Sequence, residues 1–190
     1  MRLEAPELDD GVVALRPPAP GDVDAIFEAC QDREISRFTT VPWPYKRAHA
    51  VRHVEESARA WRGGAGAVFV IVDTATGELL GSIGLVRLDR DAGVAEVGYW
   101  VKRGARGRGT AARGVRLLAP WVLCDLGFAR LELQADVRNR ASQRVAEKAR
   151  FRREGEVPAP ERCAGRSETM VMFSLSRAGL RLVGDPGRAG

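Results

Sequence analysis

The stretch Val97-Gly-Tyr-Trp-Val-Lys-Arg-Gly-Ala-Arg-Gly-Arg-Gly-Thr-Ala111 decides the fold of this chain. It begins as an apolar strand that ends at Val101, continues as a loop crowded with Gly and Arg, and enters a helix at about Thr110. Glycines leave backbone N–H groups open to close approach, and a helix N-terminus and guanidinium groups both attract negative charge. The stretch therefore predicts an anion-binding cradle between a strand and a helix.

Two common phosphate-binding loops fit this cradle less well. A P-loop NTPase places Lys before the Ser or Thr that opens its helix, whereas this chain has Gly107-Arg-Gly-Thr110. Gly107, Gly109 and Ala112 fit the G-x-G-x-x-A pattern of a dinucleotide-binding fold, but there the glycines follow the strand directly. Here residues 102–106 intervene. The dinucleotide site stays a weaker alternative, beside an ordinary tight turn.

The pattern Arg-x-x-Gly-x-Ala, formed by Arg106, Gly109 and Ala111, closely resembles the acyl-CoA pyrophosphate loop of the GCN5-related N-acetyltransferases, the GNAT superfamily. The strand before it, Glu96-Val-Gly-Tyr-Trp-Val101, resembles more narrowly the RimJ/RimL-like branch, which acetylates the N-termini of ribosomal proteins. Further matching segments follow in the right order: Arg130-Leu-Glu-Leu133, Asn139-Arg-Ala-Ser142 and Ala146-Glu-Lys-Ala-Arg-Phe151. The resemblance spans residues 12–175, nearly the whole chain.

The resemblance implies the GNAT fold, an α/β fold with a mixed sheet. We expect a central, splayed, mostly antiparallel sheet of six to seven strands, flanked by about four helices, with a V-shaped cleft between the central strands. Residues 1–176 are expected to form a single N-acetyltransferase domain, and residues 177–190, rich in Gly and Arg, a flexible C-terminal tail. Residues 36–45 carry two prolines and are predicted to be a loop.

Acetyl-CoA is the co-substrate that the resemblance implies. Backbone N–H groups of residues 107–112 would hold its pyrophosphate, with positive charge from Arg106 or Arg108. The strand edge would bind the pantetheine and polarise the thioester carbonyl. Asn139 is a candidate for a pantetheine contact, for a helix N-cap, or for both. The full set of expected cofactor-binding residues is Tyr99, Trp100, Val101, Arg106, Gly107, Arg108, Gly109, Thr110, Ala111, Ala112, Asn139 and Ser142.

Glu96, Ser142 and Glu161 are the candidate catalytic residues. Glu96 interrupts an apolar strand and could accept the proton of the amine through a water, although it could equally be an ion-paired strand residue. Glu161 is the rival base, because it follows Ser142 by nineteen residues, a spacing similar to that of a catalytic carboxylate in RimL-like enzymes. We rank Glu96 slightly ahead. Ser142 is the candidate proton donor to the thiolate, because the chain's only tyrosines, Tyr45 and Tyr99, lie outside its helix.

The acceptor side of the site carries weaker signals. Trp43 and Tyr45 are candidates to line the acceptor pocket, since the loop between the first two helices does so in the family, although Trp43 equally fits a cover for the core. His49 and His53 lie one helical turn apart, but no third ligand is in view, so a solvated helix face is favoured and no metal is expected.

Composition narrows the class of protein. The chain has 190 residues, of which 45% are hydrophobic and 29% charged, as in globular proteins. Three widely spaced cysteines predict reduced thiols in a cytoplasmic protein. No apolar run is long enough to cross a membrane. The net charge of +5 comes from an arginine excess with only three lysines, which does not favour nucleic-acid binding.

The function that the resemblance implies is transfer of acetyl from acetyl-CoA to a primary amine by direct attack in a ternary complex. The acceptor is expected to be a protein N-terminus or a small molecule, and the protein a monomer or homodimer. The alternative is a non-catalytic GNAT-fold protein that binds acyl-CoA as a sensor or interaction module. One departure from the family is Arg150, where Gly usually precedes Phe151. Because Arg is strained in a left-handed cap, this helix end is expected to differ.

Overall fold

The computed structural model describes residues 5–161 and 168–181. Strands and helices follow one another in runs of one to three along the described residues. The strands are β1 (Leu8–Asp9), β2 (Val13–Arg16), β3 (Val68–Asp73), β4 (Leu79–Asp89), β5 (Val94–Val101), β6 (Arg130–Asp136), β7 (Arg152–Pro158) and β8 (Thr169–Ser176). The helices are α1 (Val23–Ala29), α2 (Arg33–Phe38), α3 (Arg47–Gly63), α4 (Thr110–Pro120), α5 (Arg140–Lys148) and α6 (Arg177–Arg181).

All eight strands form one open sheet in the order β1-β2-β3-β4-β5-β6-β8-β7. Every neighbouring pair is antiparallel except β5 and β6, which are parallel. The mixed sheet confirms the predicted fold class. The strand number exceeds the expected six to seven, partly because the two-residue β1 adds an edge that its length hides in the sequence.

The sheet splits between its two parallel strands. β5 pairs with β6 only where Val94–Glu96 faces Arg130–Glu132. Beyond these residues the two strands continue without pairing, and the gap between them is the expected V-shaped cleft. The cleft therefore lies where β5 runs into the Gly/Arg loop.

Two apolar clusters cover the two faces of the sheet. Odd-numbered residues of β5, such as Val97, pack with α4 residues such as Leu118 in the larger cluster. The even-numbered Trp100 packs with Ile26 of α1 and Val54 of α3 in the smaller one. Alternation along β5 thus sends neighbouring side chains to opposite faces, as a strand must. No helix in the described ranges has the length and apolarity to cross a membrane.

Two segments differ from the sequence predictions. Residues 36–45, predicted to be a loop, are helical as far as Phe38, because α2 begins earlier and Asp32 caps it by accepting the Glu34 N–H at 3.1 Å. Residues Arg177–Arg181, predicted to belong to a flexible tail, form α6, whose Leu180 packs on the larger cluster. The rest of that predicted tail, residues 182–190, lies outside the described residues.

The end of α5 also differs from expectation. Arg150 adopts a φ of +64°, so it takes the left-handed position despite its side chain. The Phe151 N–H donates to the Ala146 carbonyl and the Arg150 N–H to the Glu147 carbonyl, both at 3.0 Å. These two bonds define a Schellman motif. The expectation that the helix end changes was wrong: the backbone keeps the glycine geometry, and Arg150 bears the strain.

Candidate functional site

The cleft between β5 and β6 has a volume of about 710 Å³ and is lined by residues of α2 and α3 as well as of α4 and α5. We call its donor side the part lined by residues 105–112 and 139–148. Its acceptor side is the part lined by α2, α3 and the even-numbered face of β5. Both sides belong to one continuous cavity, of a size usual for small-molecule sites.

The Gly/Arg loop presents backbone N–H groups to the donor side. Gly107 and Gly109 have φ values of +78° and +82°, which side chains disfavour, and Gly109 is the N-cap of α4. Arg113 makes the first helical bond, from its N–H to the Gly109 carbonyl at 3.0 Å. The N–H groups of residues 110–112 precede that bond, so the positive end of α4 faces the cleft.

Thr110 holds this loop in shape from inside. Its hydroxyl is buried and donates to the Ala105 carbonyl at 3.0 Å, which joins the start of α4 to the turn before the glycines. Ala111 and Ala112 are buried against the cleft wall. Their small side chains leave room for a ligand to approach the N–H groups of the loop.

The edge of β5 supplies further backbone groups. The Lys102 N–H donates to the Leu80 carbonyl, and in the same register the even-numbered residues of β5 pair with β4. The N–H and C=O groups of Tyr99 and Val101 therefore point to the other edge, toward the cleft. Trp100 also lines the cleft, but its backbone faces β4 and its side chain packs in the smaller core cluster.

Arg106 and Arg108, the two loop arginines proposed to supply charge, are not equivalent. Arg106 donates from Nε to the Val101 carbonyl at 3.0 Å and pairs through Nη1 with Asp32 Oδ2 at 2.8 Å. Arg108 is exposed and is not among the residues that line the cleft. The sequence offered both as sources of positive charge, and the structure engages Arg106 in protein contacts.

Ser142 lies on the first turn of α5, where Asn139 caps the helix by accepting the Ser142 N–H at 3.1 Å. Its Oγ lies 2.8 Å from the hydroxyl of Tyr99. Burial raises the pKa of Tyr99 to about 12, so the phenol keeps its proton at neutral pH. This pair was not predicted from the sequence, because Ser142 was chosen on the ground that its own helix carries no tyrosine. The alternation of β5, which turns Tyr99 to the face that α5 covers, was the available signal.

Glu96 lies on the acceptor side and is only 3% exposed. In the register of the sheet, Glu96 lies opposite Arg87 of β4 and opposite Glu132 of β6. Arg87 Nε lies 3.6 Å from Glu96 Oε2, while Arg87 Nη2 binds Glu132 at 2.8 Å. Arg130 Nε binds the other oxygen of Glu132, also at 2.8 Å. The contact of Arg87 with Glu96 is thus longer than the two that hold Glu132.

Glu161 lies elsewhere. It is exposed in a short turn after β7 and is not among the residues that line the cleft. The six residues that follow it, 162–167, lie outside the described residues. The structure therefore brings Glu96 and Ser142 to one cavity and leaves Glu161 apart from it.

Of the two aromatic candidates for the acceptor pocket, only Tyr45 lines the cleft. Tyr45 is buried in the smaller core cluster and lines the cleft, and burial raises the pKa of its phenol. Trp43 is 48% exposed and is not part of the cleft lining. Arg33 lies over its ring, with Cζ 6.0 Å from the ring centroid.

His49 and His53 are half-buried and line the acceptor side, whereas the sequence favoured a solvated helix face for them. The Nδ1 atom of His49 accepts the Lys46 N–H at 3.1 Å and thereby caps α3. Burial lowers the pKa of His53, which keeps its imidazole neutral at pH 7. Their spacing correctly places the two histidines on one face of α3, but it does not show that this face lines the cleft.

A model of the GNAT acetyltransferase domain matches residues 13–152. The chain belongs to the GNAT acetyltransferase family. This match confirms the family, the fold and the acetyltransferase class that the resemblance implied, with acetyl-CoA as the donor. The GNAT chain is 26% identical over 156 residues to an uncharacterized N-acetyltransferase, p20 of Bacillus licheniformis, covering 81% of this chain and 86% of p20.

Solved structures show the same fold at low identity. The chain is 19% identical, with a TM-score of 0.77, to RimL, a ribosomal L7/L12 alpha-N-protein acetyltransferase solved with coenzyme A; 88% of this chain and 95% of that one are covered. It is also 19% identical, with a TM-score of 0.76, to the microcin C7 self-immunity acetyltransferase MccE, solved with acetyl-CoA and AMP; 88% and 93% are covered.

Proposed function

We propose that this GNAT acetyltransferase moves the acetyl group of acetyl-CoA to the α-amine of a peptide or protein, by direct attack in a ternary complex. One observation carries the proposal. A single cleft passes between β5 and β6 and joins the amide-rich loop and the Tyr99–Ser142 pair on its donor side to the buried carboxylate of Glu96 on its acceptor side.

The donor side fits acetyl-CoA chemically, which supplies a thioester for attack. The N–H groups of residues 110–112 and the positive end of α4 would hold the pyrophosphate. The backbone groups of Tyr99 and Val101 would bind the pantetheine in the manner of an added strand, and an N–H of this edge would stabilise the developing oxyanion. Asn139 supports the same wall by capping α5.

Glu96 is the proposed base. It lines the cleft and is buried, and Arg87 Nε lies 3.6 Å from its Oε2. A water between Glu96 and the amine would complete the path of the proton. The exposed position of Glu161, outside the cleft lining, supports the ranking of Glu96 over it.

Ser142 is the proposed proton donor to the departing thiolate, with Tyr99 behind it. The 2.8 Å hydrogen bond lets the phenol resupply the serine hydroxyl as that hydroxyl gives up its proton. A thiol has a reference pKa of ~8.5, so its anion leaves readily and this step contributes modestly.

The charge of the acceptor side favours a peptide over a polycation. On α2 and α3, Glu34 pairs with Arg37 at 3.2 Å and Glu56 with Arg52 at 4.0 Å. These pairs offset the acidic charge that would attract a polyamine or an aminoglycoside. What remains is a wall of mixed polarity, suited to a peptide backbone that ends in one ammonium group.

Calorimetry with acetyl-CoA, followed by an amine panel with detection of the free thiol, tests the proposal. The panel holds peptides with free and with blocked N-termini, a polyamine and an aminoglycoside. We expect micromolar binding and thiol release with the free N-termini alone. Absence of binding would refute the donor assignment. Binding without turnover on any amine would favour the non-catalytic sensor, and turnover on the polyamine alone would refute the peptide acceptor.

A further inference from the structure

We infer that Arg106 is a positioning residue that ties the acceptor-side wall to the donor loop, and that of the two candidate loop arginines the exposed Arg108 is the one left to meet phosphate charge. The inference rests on the proposed function only in calling the two sides donor and acceptor. It departs from the sequence expectation, in which either arginine could supply that charge.

The guanidinium of Arg106 makes two protein contacts, one through Nε and one through Nη1. Nε donates to the carbonyl of Val101, the last residue of β5, at 3.0 Å. Nη1 pairs with Asp32 at 2.8 Å. The guanidinium therefore bridges the strand that enters the donor loop and the turn between α1 and α2. The planar guanidinium of arginine can make both contacts at once because its N–H groups point in fixed directions, whereas a lysine ammonium offers a single point charge.

Asp32 completes the bridge with its two carboxylate oxygens. Oδ1 accepts the Glu34 N–H at 3.1 Å and so caps α2. Oδ2 is buried, and Arg106 supplies the positive charge beside it. A buried carboxylate oxygen without such a charge is costly, so the pair resists separation.

α2 forms one wall of the acceptor side through Ile35 and Phe38. Its position is therefore set through Asp32 and Arg106 by the end of β5, where the donor loop begins. The same bridge neutralises Asp32, which would otherwise place a negative charge near the phosphate-binding loop. Loss of the bridge should loosen α2 while leaving the loop N–H groups in place.

Three single variants and one double variant separate the two roles. Asp32→Asn removes the charge but keeps an excellent N-cap residue for α2. Arg106→Gln removes the other half of the bridge. Arg108→Gln is the matched control, because it removes the same charge from the same loop at an exposed position. The double variant, Asp32→Asn with Arg106→Gln, tests whether the two substitutions act by breaking the same bridge.

Amide hydrogen exchange of a peptide covering α2 and calorimetry with coenzyme A are the two measurements, and neither needs an acceptor. We expect Asp32→Asn and Arg106→Gln each to speed exchange of α2 about fivefold, with no further gain in the double variant. Arg108→Gln should leave exchange unchanged and weaken coenzyme A binding about threefold to tenfold. Arg106→Gln should change that affinity by less than about twofold. Exchange of a peptide covering β3 and β4 reports global unfolding. If Arg106→Gln speeds exchange of that peptide too, the milder variant Arg106→Lys is used in its place.

Two results would overturn the inference. One is a loss of coenzyme A affinity in Arg106→Gln as large as that in Arg108→Gln, with unchanged exchange of α2. The other is tighter coenzyme A binding in Asp32→Asn, which would mean that Asp32 withholds Arg106 from the phosphate. If wild-type protein binds no coenzyme A, the proposed function fails, and the exchange measurement still decides whether the bridge positions α2.

Discussion

The donor side and the acceptor side of the cleft are built from different chemical groups. The donor side consists of backbone N–H groups at the start of α4, the edge of β5 and one pair of hydroxyls. The acceptor side is lined by side chains of mixed polarity, and ion pairs of residues around it hold its parts in place: Arg87 lies beside Glu96, and Arg106 beside Asp32 at the start of α2. Backbone groups are placed by local conformation, whereas ion pairs require residues far apart in the chain to meet.

This difference predicts how each side fails. On the donor side a change of backbone geometry should matter more than a change of charge. On the acceptor side the reverse should hold, because a buried carboxylate acts through its charge and its neighbours hold that charge in place. Substitutions in the two regions should therefore separate binding of acetyl-CoA from turnover.

The largest effect is expected on the acceptor side, from Glu96→Gln. The amide keeps the size of the side chain but cannot accept a proton, so kcat should fall by about 10²–10⁴-fold. Binding of acetyl-CoA, measured by calorimetry, should stay within about twofold of wild type. Glu161→Gln is the matched control, because Glu161 is exposed outside the cleft lining. If the control loses the activity and Glu96→Gln keeps it, the base lies on the turn after β7.

The donor side is broken by Gly109→Val. A β-branched residue is strongly disfavoured at a φ of +82°, so the loop must shift its N–H groups. The Kd for acetyl-CoA should rise about tenfold to a hundredfold, as follows from a strain of ~1–3 kcal/mol. Gly104→Val is the comparison, because Gly104 has ordinary φ and open space around its Cα. Equal effects of the two variants would show that the left-handed position is not what binding requires.

A smaller effect is expected from the hydroxyl pair. Tyr99→Phe and Ser142→Ala should each lower kcat about threefold to tenfold, since the leaving thiolate is already fairly stable. The double variant should lose little more than either single variant, because the two hydroxyls act as one unit. Additive losses would show independent roles.

The same pair makes a prediction about pH. The pKa of Tyr99 lies at about 12, above the ordinary value of 10, because burial disfavours the phenolate. The phenol therefore stays protonated as the pH rises from 7 to 10. Any alkaline fall of kcat in that range should be the same in wild type and in Tyr99→Phe. A fall that the substitution abolishes would assign it to Tyr99.

The contrast between the two sides also explains what the sequence could predict. The turn before α4 could be predicted from local sequence, because Gly107 and Gly109 adopt the positive φ values that glycine favours, and the resemblance implied its role toward acetyl-CoA. That the sheet is mixed and that its central strands splay into a cleft followed from the resemblance, whereas the pairing of β5 with β6 as the parallel pair came from the structure. The bridge from Arg106 to Asp32 was not predicted, because it joins residues 74 positions apart. The burial of Tyr45 in the cleft wall and the exposure of Trp43 could not be predicted, because they depend on packing between distant parts of the chain.

Strain at the end of α5 offers the smallest test, on the helix that carries Ser142. Arg150 holds a left-handed conformation that costs a side-chain residue ~1–2 kcal/mol, whereas glycine adopts it freely at some cost in unfolded-state entropy. Arg150→Gly should therefore raise the free energy of unfolding by about 0.5–1 kcal/mol and the Tm by roughly 1–4 °C. Arg150→Ala keeps the Cβ and removes the guanidinium, so it should give no such gain. If Arg150→Ala stabilises as much as Arg150→Gly, the charge rather than the backbone is responsible, and the Schellman motif at Phe151 carries no strain to relieve.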